Sequence, residues 1–164
     1  MYTRLISLVA LLGTTAKAWP QGWQQPCSEA VVALATGIHL NIQGQYAEYN
    51  GTLKVINVES SNPVNQTAFY IAKGELLSDI QAGKNIRQFN QEIAPAGNPA
   101  LPGLAKYQAA QQVEQGLAQG LTGVQSQDAS SLNSLLSNIT AGIQLNENNL
   151  KNVSNLLQVL CTAY

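Results

Sequence analysis

The sequence predicts an all-α protein: an antiparallel up-down-up-down four-helix bundle closed by one disulfide between its N-terminal and C-terminal ends. Three observations predict this fold. Apolar residues recur every three or four positions in four segments, as they do on one face of a helix. Prolines and short polar stretches separate the segments. One cysteine stands near each end of the bundle region, at Cys27 and Cys161.

The N-terminal segment, residues 1–18, has the features of a secretory signal peptide. Arg4 precedes an apolar run from Leu5 to Leu12, and Ala16-Lys17-Ala18 matches a small-x-small cleavage site. That run is too short to cross a bilayer, and no later window is long and apolar enough to do so. We therefore expect a secreted protein, extracellular or in a cell wall, with no membrane span.

The small net charge of the chain after loss of the leader argues against nucleic acid and charged substrates as partners. Loss of Arg4 and Lys17 with the leader leaves six basic residues against nine acidic ones, with no basic cluster. Nucleic acid is therefore not an expected partner. Charged residues make up only 10% of the chain, which argues against a charged substrate.

Residues 19–26, WPQGWQQP, are expected to form an extended arm before the bundle domain of residues 27–164. Its tryptophans, Trp19 and Trp23, have two interpretations. They pack on the bundle as part of a linker, or they form an exposed aromatic anchor for a surface or a sugar.

The first helix is predicted over residues 28–59, with Ser28 as its N-cap. Its predicted core stripe is Val31, Leu34, Ile38, Ile42, Gln45, Tyr49, Leu53 and Ile56. Ser60 to Pro63 interrupts the pattern, and Pro63 suits the first turn of a second helix over residues 64–93. The predicted apolar stripe of this second helix includes Ile71.

Residues 94–103 hold three prolines and two glycines, so they predict a loop. A third helix is predicted over residues 104–126, with Val113 on its apolar face. Asp128 is a candidate cap for a fourth helix over residues 129–160. Four long helices with short connections favour antiparallel neighbours.

The two cysteines agree with an even number of helices. In an up-down-up-down bundle, Cys27 and Cys161 lie at the same end, and secreted proteins usually pair such residues. Neither looks catalytic, because the only histidine, His39, lies about three helical turns from Cys27.

Glycine and amide residues are the candidate site. Gly37, Gly44 and Gly51 recur every seven residues, which predicts either a close approach of a second backbone or a groove for a ligand. Four amide residues fall on or beside the apolar stripes: Asn41, Gln45, Asn90 and Asn146. They predict either a hydrogen-bonded layer that fixes helix register or the polar end of a pocket for a mostly apolar ligand.

Catalytic and metal sites are not predicted. The chain has no Glu-x-x-His pair, one histidine, and carboxylates such as Glu48 and Glu114 that appear scattered singly. Glu114 lies nearest to a core face, where we expect it to be solvated or bonded to an amide. We therefore expect no enzyme activity, no metal and no cofactor.

Four Asn-x-Ser/Thr sequons, which are glycan acceptors in a eukaryotic secreted protein, begin at Asn50, Asn65, Asn138 and Asn152. We expect about half to carry a glycan.

Three segments, GIHLNIQGQYAEY, IAPAGNPALPGLAKYQAAQQVEQGLAQGLTG and GIQLNENNLKNV, resemble a pattern of uncharacterised small secreted helical proteins of filamentous fungi. More distantly, the all-helical character is similar to the fungal hydrophobic-surface-binding and cell-wall galactomannoprotein family. That resemblance implies binding of a lipid or an apolar surface, and it transfers no site residues.

The expected function is that of a secreted, non-catalytic protein that binds an apolar ligand, such as a lipid or fatty acid, or a hydrophobic surface. One alternative is a host-directed effector or other interaction protein that acts through its outer surface. Another is a structural glycoprotein of the cell wall.

Overall fold

The structure is a computed structural model that describes residues 29–162, and side chains through residue 158. It contains four helices: α1 (Glu29–Glu59), α2 (Gln66–Ile93), α3 (Leu101–Gly120) and α4 (Gln125–Thr162). No strand occurs within these residues, so the all-α prediction is confirmed. No helix among them is both long and apolar enough to cross a membrane.

Each helix packs against two others. Both α1 and α3 pack against α2 and α4, so α1 and α3 occupy diagonal positions. The apolar core between them includes Leu34, Ile38, Phe69, Leu76, Ile80, Leu104, Leu135 and Ile139, all fully buried.

Nine of the eleven buried residues of α1 follow a strict alternation of three and four residues, and the other two, Gly37 and Ile42, are sequence neighbours of members of that series. The nine are Val31, Leu34, Ile38, Asn41, Gln45, Glu48, Thr52, Val55 and Glu59. A heptad repeat of this kind is typical of helices that supercoil around one another. The predicted stripe followed apolar residues instead, and its inclusion of Leu53 was wrong because that side chain is exposed. The same error placed Ile71 of α2 and Val113 of α3 on core faces, whereas both are exposed.

Two helix starts differ from the prediction. Helix α2 begins at Gln66 because the Asn65 side chain caps it, accepting a hydrogen bond from the Ala68 N–H at 3.0 Å. Pro63 therefore lies outside the helix. Helix α3 begins at Leu101 rather than at the predicted Leu104, since Pro102 is tolerated in a first turn.

The turn between α3 and α4 also differs. Helix α3 ends at Gly120 and α4 begins at Gln125, where the sequence predicted Ser126 and Ala129. Gly123 has a φ of +82°, which favours glycine, and a methyl group there would lie 2.9 Å from the Phe69 ring. Asp128 lies inside the first turn of α4 and accepts hydrogen bonds from the N–H groups of Thr122 and Gly123, at 2.7 and 2.8 Å.

Candidate functional site

The buried seams of the four helices become polar near the middle of the bundle. We call this group of buried side chains the polar core. Its members are Asn41, Gln45 and Glu48 of α1; Arg87 and Asn90 of α2; Tyr107, Gln111 and Glu114 of α3; and Asn146 and Asn149 of α4. Burial of so many polar groups is costly unless they interact with one another, so their contacts decide what the polar core can do.

One chain of amides joins three helices. The Asn41 amide donates to the Gly83 carbonyl of α2 at 2.8 Å. Asn146 donates to Asn41 Oδ1 at 2.8 Å and to Gln45 Oε1 at 3.0 Å. Asn149 donates in turn to Asn146 Oδ1 at 3.2 Å. Three of the four predicted amide residues therefore meet in one network, which ties α1 to both of its neighbours.

The fourth predicted amide residue, Asn90, lies apart from that network. Both its Nδ2 and its Oδ1 are buried and make no hydrogen bond. Its side chain lies directly against Gly37, where an added methyl group would collide with Asn90 Oδ1. Gly37 thus makes room for a buried amide that has no partner.

Arg87 is held by glutamines. Its Nε donates to Gln111 Oε1 at 2.8 Å, and its Nη1 donates to Gln91 Oε1 at 2.5 Å and to Gln108 Oε1 at 3.2 Å. Burial lowers the pKa of Arg87. These three amides hold the Nε and Nη1 side of the guanidinium, and Arg87 forms no ion pair with a carboxylate of the described residues.

Two carboxyl groups of the polar core are fully buried. Glu48 and Glu114 come from the diagonal helices α1 and α3, and none of their four oxygen atoms makes a hydrogen bond. Burial raises the pKa of Glu114 to about 7. Burial, followed by the charges of Glu114 and Asp79, raises the pKa of Glu48 to about 9. The sequence missed this pair: the residues lie far apart in the chain but interact across the bundle, and the expected solvation of Glu114 was wrong.

Besides Asn90, three hydrogen-bond donors of the polar core have no partner within the described residues. The Nε2 groups of Gln45 and Gln111 are buried and unpaired. The hydroxyl of Tyr107 makes no hydrogen bond of normal geometry, although Gln111 lies beside it. Burial raises the pKa of Tyr107, so the phenol keeps its proton and remains a donor.

Glycines give these polar groups their space. A methyl group on Gly83 would collide with Glu48 Oε1 and lie 3.1 Å from Gln111 Nε2. One on Gly142 would collide with Gln45 Nε2. By contrast, the space beside Gly44 is open, so this predicted member of the glycine seam contacts no neighbouring helix.

A groove on the outer surface is the second candidate site. This α1–α2 groove has a volume of about 520 Å³ and is lined by Ala33, Thr36, Gly37, Leu40, Asn85, Ile86 and Phe89. Leu40 and Phe89 are 52% and 55% exposed, so two large apolar side chains face solvent at its edges. Gly37 connects the two candidate sites, because it lines the groove and also contacts Asn90.

The remaining predicted site residues lie elsewhere. Asn50, Asn65 and Asn152 are exposed and Asn138 is half-buried; all but Asn65 lie within helices. The Cys27 and Cys161 side chains and the tryptophan arm lie outside the described residues.

Within residues 29–162, no three histidine, cysteine or carboxylate side chains are grouped so that they could hold a metal ion. Comparison with known protein families, with curated proteins and with solved structures finds no match for this chain.

Proposed function

We propose that this chain is a secreted, non-catalytic binding protein of a fungal cell surface or secretome. Its ligand is apolar, either a fatty acid or another lipid, or the protein adsorbs to a hydrophobic surface. The α1–α2 groove carries this proposal. A groove of about 520 Å³ falls within the range of small-molecule sites.

The walls of the groove suit an acyl chain. Leu40 and Phe89 provide an aliphatic side chain and an aromatic ring on opposite helices, and a ligand that covers the exposed half of each gains roughly 1–1.5 kcal/mol per side chain. Thr36 and Asn85 provide polar groups in the same lining. Asn90 is fully buried against Gly37 and does not line the groove, so Thr36 and Asn85 are the polar residues that a ligand there would meet.

The proposed topology is an antiparallel up-down-up-down bundle. Contacts between α1 and α2 support it: Gly37 lies against Asn90 and Gly51 against Leu76, so the contacts advance along α1 by as much as they retreat along α2. Contacts between α2 and α3, and between α3 and α4, likewise advance along one helix as they retreat along the other. The contacting pairs are Arg87–Gln111, Lys84–Gln115, Gly103–Asn149 and Tyr107–Gly142.

Binding of a fluorescent fatty acid to the secreted protein tests the function. We expect Leu40→Gln and Phe89→Gln each to weaken binding about tenfold, since each removes apolar contact worth more than about 1 kcal/mol. Val113→Gln is the matched control, because Val113 is an exposed apolar residue of α3 outside the groove. Its affinity should match that of the wild type.

Native mass spectrometry of the deglycosylated protein provides an independent test. A co-purifying lipid that is lost from the Leu40→Gln variant supports the groove as its site. The proposal fails if the protein carries no lipid, binds no fluorescent fatty acid and does not adsorb to a hydrophobic surface.

A protein interaction is the second candidate function. A cleft of about 380 Å³ between α1 and α4 combines Tyr46 and Tyr49 with Gln144 and Glu147, and tyrosine is enriched at protein interfaces. A pull-down from host extracellular fluid tests this candidate, with Tyr46→Ala as the variant that should lose the partner. Recovery of no specific partner by the wild-type protein argues against it.

A further inference from the structure

Within the described residues, no basic side chain forms an ion pair with either buried carboxyl group of the polar core. Glu48 and Glu114 are fully buried, and the nearby guanidinium of Arg87 is already bonded to three glutamines. An ionised carboxylate in such a site is costly without a counter-charge. Neutralisation therefore requires either a bound metal cation or protons on the carboxyl groups themselves.

The neighbouring groups favour protons over a metal ion. Gln45 Nε2, Gln111 Nε2 and the Tyr107 hydroxyl are unpaired groups of the surrounding core, and each of them is a hydrogen-bond donor. These donors would repel a cation, and none of them bonds to a carboxyl oxygen of Glu48 or Glu114, so no hydrogen bond offsets the cost of burying an ionised carboxylate there. Two carboxylates also fall short of the roughly six to eight oxygen ligands that Ca²⁺ prefers.

We propose that Glu48 and Glu114 form a proton-binding switch inside the bundle, which stays closed while both carboxyl groups are protonated and loosens as they release protons to solvent. The role is independent of the α1–α2 groove. It couples the fold of a secreted protein to the acidity of its surroundings.

The charged and titratable groups around the pair reinforce this coupling. From α2, Asp79 adds a negative charge that raises the pKa of Glu48, while Arg87 bonds to three glutamine side chains. From α3, Tyr107 is a neutral phenol. Helix α4 presents the amide of Asn146 and the bare backbone of Gly142 to the core.

The order of proton release follows from burial. With pKa values of about 7 for Glu114 and about 9 for Glu48, Glu114 ionises first and its charge then opposes ionisation of Glu48. Both pKa values lie above the ordinary value of 4.5, so the unfolded chain releases these protons first as pH rises. The contribution of this pair to stability is therefore full below pH 4.5 and is lost progressively up to about pH 9.

Urea unfolding of the full secreted protein between pH 5 and pH 9 tests the switch. For each carboxyl group that is ionised in the unfolded chain and protonated in the bundle, the ratio of folded to unfolded protein should fall by up to about tenfold per pH unit. The double variant Glu48→Gln/Glu114→Gln, which mimics the protonated acids, should lose the part of this dependence that the pair contributes and keep the smaller part from Glu59, whose pKa burial raises to about 7. Glu147→Gln, at an exposed glutamate of α4, should retain the wild-type dependence.

Three results would overturn the proposal. They are a wild-type stability that does not change between pH 5 and pH 9, a double glutamine variant with the wild-type slope, and recovery of alkaline stability on addition of Ca²⁺ or Mg²⁺ alone. If the double variant does not fold, infrared spectroscopy of the wild type decides. A carbonyl band of protonated carboxylic acid at pH 7 that disappears on unfolding supports the switch, and its absence refutes it.

Discussion

Glycine at four helix positions leaves space for the end of one polar side chain from another helix. Gly37, Gly83, Gly103 and Gly142 lie against Asn90, Glu48, Asn149 and Gln45, respectively. The heptad repeat of glycines in α1 could be recognised from the sequence, but what opposes each glycine could not. Gly44 occupies the same heptad position as Gly37, yet no atom of another helix lies near it. Whether such a glycine contacts another helix depends on which side chain the neighbouring helix places opposite it.

Alanine substitutions at Gly44 and Gly83 should have opposite effects on stability. Gly44→Ala should raise the free energy of unfolding by roughly 0.5–1 kcal/mol, because alanine favours a helix and the site is open. Gly83→Ala should lower it by about 1–3 kcal/mol, since the new methyl group collides with Glu48 and Gln111. Urea denaturation at one pH measures both, and shifts of equal sign would contradict the close contact at Gly83.

At the scale of single elements, the four helices were predictable and their buried faces only in part. The predicted stripe of α1 followed apolar residues at the period of a straight helix. It therefore began correctly at buried residues such as Ile38 but drifted to Leu53, which is exposed. The true seam keeps the slightly shorter period of a heptad and accepts Glu48 and Thr52 where that period requires them. A strict three-and-four spacing also joins Tyr107, Gln111 and Glu114, so spacing alone identifies these buried residues when polarity is ignored.

The turn between α3 and α4 depends on one carboxylate. Burial alone would raise the pKa of Asp128, but hydrogen bonds from the Thr122 and Gly123 N–H groups outweigh it, and the pKa lies below its ordinary value of 3.8. Asp128 therefore stabilises the fold above that pH and ceases to do so as the pH falls through its lowered pKa. The partners of Asp128 lie only five and six residues before it in the sequence, which explains why Asp128 could be recognised as a cap candidate. It nevertheless acts from inside the first turn of α4.

Asp128→Ala should lower the free energy of unfolding by roughly 1–2 kcal/mol at pH 5, because two backbone N–H groups lose their acceptor. The difference from wild type should shrink as the pH is lowered toward 2, where the carboxylate gains a proton. Ser130→Ala, at an exposed position of the same helix, is the control. Chemical denaturation at both pH values measures the effect, and a pH-independent difference would show that the charge of Asp128 is not its source.

At the scale of the whole molecule, the contacts between α1 and α4 bear on residues beyond the described part. Asn41 bonds to Asn146, and Glu59 lies beside Asp128, so the contacts advance along α1 by as much as they retreat along α4. Cys27 precedes Asn41 by almost the same distance along the chain as Cys161 follows Asn146. Both cysteines lie outside the described side chains, so the disulfide stays a prediction from the sequence.

A Cys27–Cys161 disulfide should stabilise the bundle by roughly 4–5 kcal/mol, because it closes most of the chain into one loop and restricts the unfolded state. The intact mass of the non-reduced protein should be two hydrogens below that of the reduced chain. Reductant should lower the melting temperature of the wild type but not that of the Cys27→Ser/Cys161→Ser variant, which controls for other effects of the reductant. Two thiols that react with an alkylating reagent in the native, non-reduced protein would refute the bridge, and α1 and α4 would then be held together by the Asn41–Asn146 network and the core alone.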